Sequence, residues 1–398
     1  MKDELAINGG PPVRRDFLIF GSPHFEEDEI NEVVQTIQSC WVGMGPKVME
    51  FEKAFSRYIG TRYAVALNSC TAGLHLSLIV SSIKPGSEVI TTPMTFCATA
   101  NAIIHAGCIP VFADIDVQTM NIDPYEIEKK ITSKTKAVII VHMAGRPCNM
   151  DRIVDLCRKY NLLLIGDCAH AIETEYKGKK VGTYGDINVF SFYVTKNLTT
   201  VEGGMITTES DEYANAIKIY GLHGLSKDAW ERYSDKGYKH YYVIYPGYKY
   251  NMTDIQASFG IHQLKRLESQ YKRRHDIWQY YTKAFKDLPV ITPASFEKGT
   301  RHALHLYILL LKLEDLTVDR DTVMEAISRE NIGLGIHFVS LHLHPYYKET
   351  FGYRRGDFPK SEFVSDRTLS IPLSSKLSDA DVEDVIQAVT KVLTYYKR

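Results

Sequence analysis

Net charge is the first thing this sequence lacks: 47 basic and 48 acidic side chains leave a formal charge of −1 over 398 residues. Nucleic-acid binding draws on a basic field that displaces counterions from phosphates, so that class of function is disfavoured. No uninterrupted apolar run approaches the roughly 20 residues that span a bilayer. The opening stretch, MKDELAINGGPPVRRD, has neither the apolar segment nor the cleavage-like site of a secretory leader. The seven cysteines (Cys40, Cys70, Cys97, Cys108, Cys148, Cys157 and Cys168) show no paired metal-ligand spacing, and their odd number fits reduced thiols. Internal repeats and low-complexity tracts are missing too. These absences predict a cytoplasmic protein with no metal, no membrane and no nucleic-acid partner.

What is present is a chain long enough for a large α/β unit with a smaller appendage. Apolar spacing predicts helices over Glu26–Ser39 and Lys47–Tyr58. From Tyr63 onward short apolar runs alternate with helical stretches. The runs are AVAL (64–67), EVITT (88–92), PVFADI (110–115), AVIIVH (137–142), LLLIGD (162–167), NVFSFY (188–193) and GMITT (204–208). Between them lie helical patterns such as Thr71–Ser81, Thr95–His105 and Asp151–Tyr160. Continuous apolar strands separated by helices predict a mostly parallel, mixed sheet covered on both faces. Residues 221–250 lose all periodicity and read as a long irregular loop of the kind that tends to be functional. A long helix over Thr253–Ala284 follows, then HLYILLLKL (305–313) and a final helix from Asp379. The expected division is a large domain over 1–250 and a smaller α+β domain over 251–398 that includes the connecting helix.

In parallel sheets, ligands bind at the loops that follow the C-terminal strand ends. Asp167 closes the run LLLIGD at that edge, and Lys196 follows NVFSFY in SFYVTKN. Ser69, Cys70 and Thr71 stand between AVAL and the helix TAGLHLSL, and Ser191 lies on the strand leading to Lys196. These are the groups pyridoxal 5'-phosphate (PLP) needs. A lysine forms its Schiff base. A buried carboxylate keeps the pyridine nitrogen protonated. Small polar residues at a helix N-terminus hold the phosphate.

On these residues the chain resembles the DegT/DnrJ sugar aminotransferases, members of the aspartate-aminotransferase fold type. The likeness runs through SCTAGLHL (69–76), EVITTPMTFCATANAI (88–103), VHMAGRPCNMD (141–151), the block from Gly166 to Thr208, PGYKYNMTDIQASFG (246–260) and IGLGIHFVSLHLHPYY (332–347). The resemblance implies catalytic roles for Lys196, which binds the cofactor and shuttles the α-proton, for Asp167 at the pyridine nitrogen, and for His170 near the phenolic oxygen. It implies that Phe96 stacks on the ring and that Cys70, Thr71 and Ser191 line the phosphate. The family often has glycine where Cys70 stands, so a backbone contact is expected there. Asn251 is expected to reach the phosphate of a neighbouring subunit, which implies a homodimer with shared sites. The post-lysine loop NLTTVEGG lacks a glycine common in relatives, and a shifted loop path is expected.

His337, His342 and His344 invite a metal reading, but no carboxylate or cysteine with ligand spacing accompanies them. The resemblance instead makes His337 and His342 candidate substrate contacts. It also implies L-glutamate as amino donor and a nucleotide-linked keto-sugar as acceptor. Within the family, the motifs HGLSKDAWERY (223–233) and PGYKYNMTDIQA (246–257) resemble those of enzymes acting on 4-keto sugars. The alternatives are a PLP-dependent sugar dehydratase, which the retained Lys196 disfavours, and a non-catalytic regulator on the same fold.

Overall fold

The continuous apolar runs do become one sheet. The computed structural model describes residues 4–226 and 241–398. Its central strands are β1 (Tyr63–Leu67), β2 (Glu88–Thr91), β3 (Ile109–Phe112), β4 (Thr135–Val141), β5 (Leu163–Asp167), β8 (Ile187–Ser191) and β9 (Gly204–Thr208). A small hairpin, β6 (Glu175–Tyr176) and β7 (Lys179–Lys180), intervenes and pairs with β11 (Thr300–Arg301). The seven-stranded order is β1-β9-β8-β5-β4-β2-β3. Strands β8, β5, β4, β2 and β3 are parallel, whereas β9 runs against both its neighbours. Val89, Ile90, Val138, Ile139, Ile165, Val189 and Ile206 are all buried. Burial on both faces is why these strands read as unbroken apolar runs.

Helices α1 (Glu27–Gln38), α2 (Pro46–Ile59), α3 (Cys70–Val80), α4 (Cys97–His105), α5 (Pro124–Lys130), α6 (Met150–Tyr160) and α7 (Asp211–Gly221) surround this sheet. One sequence expectation shifts here. Thr95 and Phe96 stay outside α4, because Phe96 is its N-cap with extended backbone. On α1 the apolar stripe Ile30, Val34 and Ile37 points outward, and Glu29 and Thr36 are buried instead. Glu29 accepts from Gln263 and pairs with Arg266, so its burial is matched by partners.

Helix α8 (Asp254–Ala284) ties the two halves together. Its Thr253–Gln256 capping box fixes its start. The Asp254 carboxylate accepts the backbone N–H groups of Gly45, Lys47 and Val48, pinning the beginning of α2. Ala257, Ile261 and Leu267 then pack with an aromatic cluster of Phe51, Phe55, Phe190 and Phe192. Phe55 meets Phe190 and Phe192 edge-on at 5.1 and 5.4 Å, the geometry favoured by ring quadrupoles. Further along, Ile277, Trp278, Tyr281 and Phe285 enter a second core. That core is built on β10 (Val290–Ile291), β12 (Tyr307–Leu311) and β13 (Thr368–Ile371), with α9 (Arg320–Arg329) and α12 (Asp379–Tyr396) over it. Leu5 is buried in this second core, and Leu18 bridges to Ile332. The short helices α10 (Pro345–Phe351) and α11 (Pro359–Arg367) complete the C-terminal part.

The described residues at the two ends of the aperiodic stretch 221–250 pair with one another. Leu222 bridges Lys249, Leu225 bridges Val243, and Tyr248 stacks on Tyr250 at 5.0 Å. Much of HGLSKDAWERY (223–233) lies outside the described residues. Among the described residues no helix is long and apolar enough to cross a membrane.

Truncating the ring at the centre of the aromatic cluster tests this packing. Phe55→Ala is expected to cost about 3–5 kcal/mol in urea unfolding. A loss under about 1 kcal/mol would show that the cluster does not anchor α2 to the sheet.

Candidate active site

Strands β5 and β8 are neighbours, and the residues that leave their C-terminal ends converge. Asp167, the last residue of β5, pairs with Val189 of β8. After β8 ends at Ser191 the chain turns, with the Lys196 N–H bonded to the Tyr193 carbonyl at 2.9 Å. Asp167 and Lys196 line the same cavity of about 570 Å3. The Asp167 carboxylate accepts from Thr99 Oγ1 at 2.8 Å and from the Ala169 N–H at 3.1 Å. Thr99 Oγ1 is in turn 2.9 Å from Thr95 Oγ1, just ahead of the helix. Burial pushes the Asp167 pKa up, against the pull of Thr99, Ala169 and Lys196. Burial also pushes the Lys196 amine down to about 8, while Cys70 and Asp167 act in the opposite sense.

One end of the cavity is a helix N-terminus. Ser69 caps α3, its Oγ accepting from the Ala72 N–H at 3.1 Å. Cys70 and Thr71 occupy the first two helical positions, whose N–H groups have no intrahelical acceptor. Their free donors and the helix dipole favour an anion there. Gly204 of β9 makes this approach possible: a Cβ there would lie 2.6 Å from the Cys70 nitrogen and 2.5 Å from the Ser69 carbonyl carbon. Ser191 lines the cavity beside them. The Cys70 thiol is held well above its usual pKa by burial first and Asp167 second, so it remains protonated. In the post-lysine loop Val201 takes φ 70°, a left-handed conformation that glycine adopts freely and valine does not.

The rest of the wall is aromatic and imidazole. Phe96 is 60 % exposed, an unusual state for a phenylalanine with a cavity to one side. His170 is buried, accepts the Ala144 N–H at Nδ1 (3.3 Å), and lies 4.5 Å ring to ring from His305. Burial holds His170 well below the usual histidine pKa, with Lys196, His305 and His337 adding to the effect. His337 also lines the cavity, its Nδ1 2.9 Å from Ser370 Oγ, and burial pushes it down to about 4. The structure therefore gathers Lys196, Asp167, His170, Cys70, Thr71, Phe96, Ser191 and His337 around one space.

Two of the residues singled out in the sequence are not brought there. His342 is fully buried, and its two ring nitrogens meet Ser340 Oγ and Glu362 Oε1. That leaves it no free atom for a ligand. Asn251 bridges to Leu67 and is not part of the cavity wall, though its Oδ1 is buried without a hydrogen-bond partner. Conversely, sequence reasoning missed Thr99, Asn197 and His305. The Thr95–Thr99 spacing at the start of a helix beside a strand-end aspartate was the signal for the first.

The match to known proteins is decisive at this point. Residues 23–390 match the DegT/DnrJ/EryC1/StrS aminotransferase family. The chain belongs to this family. It is 52 % identical to MJ1066, an uncharacterized protein of Methanocaldococcus jannaschii, covering 96 % of this chain and 99 % of the relative. It is 48 % identical to the spore coat polysaccharide biosynthesis protein SpsC of Bacillus subtilis, covering 96 % of this chain and 98 % of SpsC. Among solved structures, the putative sugar aminotransferase Spr1654 of Streptococcus pneumoniae in its PMP form has TM-score 0.88 at 34 % identity, over 95 % of this chain and 99 % of that one. DesI, solved with its TDP-sugar product, has TM-score 0.86 at 28 % identity, over 98 % and 97 % of the two chains.

The chain is accordingly an enzyme of the PLP-dependent sugar-aminotransferase family. Its own residues fit the cofactor. The Asp167 carboxylate is buried, with Lys196 as the cation acting on it; a protonated ring nitrogen would supply a second positive charge. The open Phe96 face and the bare N–H groups of α3 suit a flat ring and a phosphate.

The depressed Lys196 pKa has a kinetic consequence, since only the neutral amine attacks an aldehyde. Capture of PLP by the cofactor-free enzyme is expected to rise about tenfold per pH unit and level off above pH 8. Stopped-flow absorbance measures it. A rate that keeps rising through pH 10 would mean the lysine is not buried as described.

Proposed function

We propose that this enzyme transfers an amino group from L-glutamate to a nucleotide-linked 4-keto sugar, releasing 2-oxoglutarate and an amino-sugar nucleotide. The observation that carries this reading is the pairing of Asp167 and Lys196 across one cavity, with an anion-favouring helix N-terminus at one end and imidazoles at the other. The polysaccharide role in the name of SpsC and the TDP-sugar bound to DesI support a nucleotide-sugar acceptor.

When bound, PLP supplies an aldehyde to take up the amino group and an electron-withdrawing ring that acidifies the adjacent carbon. The residues of this chain do the rest. Asp167 holds a proton on the ring nitrogen, with Thr99 and the Ala169 N–H fixing the carboxylate. Lys196, pushed down to about 8, is substantially neutral near that pH and takes the proton from the donor's α-carbon. It would carry that proton to the cofactor's aldehyde carbon and, in the second half of the cycle, a proton from that carbon to the keto carbon of the sugar. With Nδ1 accepting from Ala144, neutral His170 carries its proton on Nε2 and donates toward the ring's phenolic oxygen. The Cys70 and Thr71 N–H groups and the Thr71 and Ser191 hydroxyls hold the phosphate. Phe96 covers one ring face, and His337 stands at the sugar end.

We further infer a homodimer with shared sites. The outward apolar stripe of Ile30, Val34 and Ile37 and the exposed Phe96 and Val201 suit a second copy. Asn251 donates from Nδ2 to the Met252 carbonyl, while its buried Oδ1 has no hydrogen-bond partner among the described residues and is left to accept from a second copy.

Lys196→Ala is expected to abolish steady-state amination of a keto-sugar nucleotide with an unchanged circular-dichroism spectrum. Asp167→Asn should retain cofactor and lose about 10²-fold or more in kcat. Turnover within tenfold of the native rate in either variant would contradict these assignments.

A further inference from the structure

A polar chain that borders the cavity is left without a task by the reaction above. Arg274 of α8 pairs with Glu173, and both are buried (2 % and 0 % exposed). The other Glu173 oxygen accepts from Asn197 Nδ2 at 3.0 Å. That same Nδ2 lies 2.9 Å from the Ala303 carbonyl. A backbone carbonyl only accepts, so the atom facing it must be the amide nitrogen, and the orientation of Asn197 is fixed. Its Oδ1 therefore faces His305 Nδ1, at 3.1 Å. An amide oxygen only accepts, so Nδ1 of His305 carries the ring proton.

The consequence falls on the other nitrogen. His305 is neutral, held well below the usual histidine pKa by burial first and then by Lys196, His337, Arg274 and His302. His305 lines the cavity, and the one hydrogen bond of its ring among the described residues is at Nδ1, which leaves Nε2 without a partner there. That nitrogen is a bare lone pair. The ring 4.5 Å away has the opposite tautomer, because His170 Nδ1 accepts from Ala144 and its Nε2 carries the proton. Two adjacent imidazoles thus offer one donor and one acceptor to the same space. Lys196 and the α3 N–H groups are also donors, and Asp167 already accepts from Thr99 and Ala169.

We propose that His305 is a specificity-determining contact of this enzyme, accepting a hydrogen bond at Nε2 from a hydroxyl of the acceptor sugar, with Asn197, Glu173 and Arg274 as positioning residues. The proposal rests on the sugar-amination reading above. A keto sugar offers a carbonyl, which accepts, and hydroxyls, which donate. A hydroxyl proton left buried and unpaired costs affinity, so a site for the sugar needs acceptors aimed at its hydroxyls as well as donors for its carbonyl. Hydroxyls in the wall such as Ser22, Ser374 and Ser375 can turn to donate or accept; His305 adds an acceptor whose direction is fixed, because the chain through Asn197 keeps its tautomer from switching.

The test uses PLP-loaded enzyme with thymidine- and uridine-diphospho 4-keto-6-deoxyhexoses and L-glutamate as probes. Nitrogen-15 NMR of histidine-labelled enzyme, with His305 assigned by its loss in His305→Gln, should show a protonated Nδ1 and an unprotonated Nε2. The reverse pattern overturns the proposal. In single-turnover assays His305→Phe should lower kcat/KM of the sugar half-reaction by about 10–100-fold, and by at least tenfold more than that of the glutamate half-reaction. His305→Gln, whose amide oxygen can accept, should recover part of the loss. A His305→Phe enzyme that aminates the sugar as the native enzyme does overturns the inference alone. Native enzyme that aminates none of these sugars removes the reading it rests on, and the inference with it.

Discussion

The chemistry of this fold depends on a carboxylate placed where water cannot screen it. Asp167 ends a strand buried on both faces, and its remaining solvation comes from one threonine hydroxyl and one backbone N–H. Such a group is costly to ionise without a positive partner. Lys196 comes from the adjacent strand's end, and the same burial that raises Asp167 lowers the lysine. One physical cause therefore prepares both partners: a carboxylate in want of a cation, and an amine ready to act as a base. Much of the rest of the structure can be read as holding those two strand ends in register. The Phe51–Phe55–Phe190–Phe192 cluster seats α2 against β8, and Asp254 ties α2 to α8.

Helix α8 extends that constraint to the second core and carries Arg274 back to the cavity. The buried Arg274–Glu173 pair is poor evidence of stability in itself, since desolvating two charges offsets much of their attraction. Its value lies in direction. A fixed carboxylate orients Asn197, which sets the proton on His305. Two imidazoles in contact, with opposite tautomers imposed from behind, give the cavity complementary polarity without a further charge.

A good part of this was legible in the chain. Strand GMITT ran to the residue, and LLLIGD and NVFSFY were right to within one or two positions, because burial on both faces writes an unbroken apolar run. Asp167 and Lys196 could be found because strand ends are where an open α/β sheet places polar groups for a ligand. The misses have a common cause. His342 and His305 are both histidines beside apolar segments, and nothing local tells a ring that is bonded on both sides from one with a free nitrogen. That difference is made by Glu362 and Asn197, 20 and 108 residues away in sequence.

The most direct test of the central claim is the visible absorbance of purified enzyme reconstituted with PLP, followed through one full cycle. The account predicts a lysine-bound cofactor band that bleaches on adding L-glutamate and returns on adding a nucleotide-linked 4-keto sugar. A protein that takes up no PLP, or whose band ignores both compounds, would contradict it.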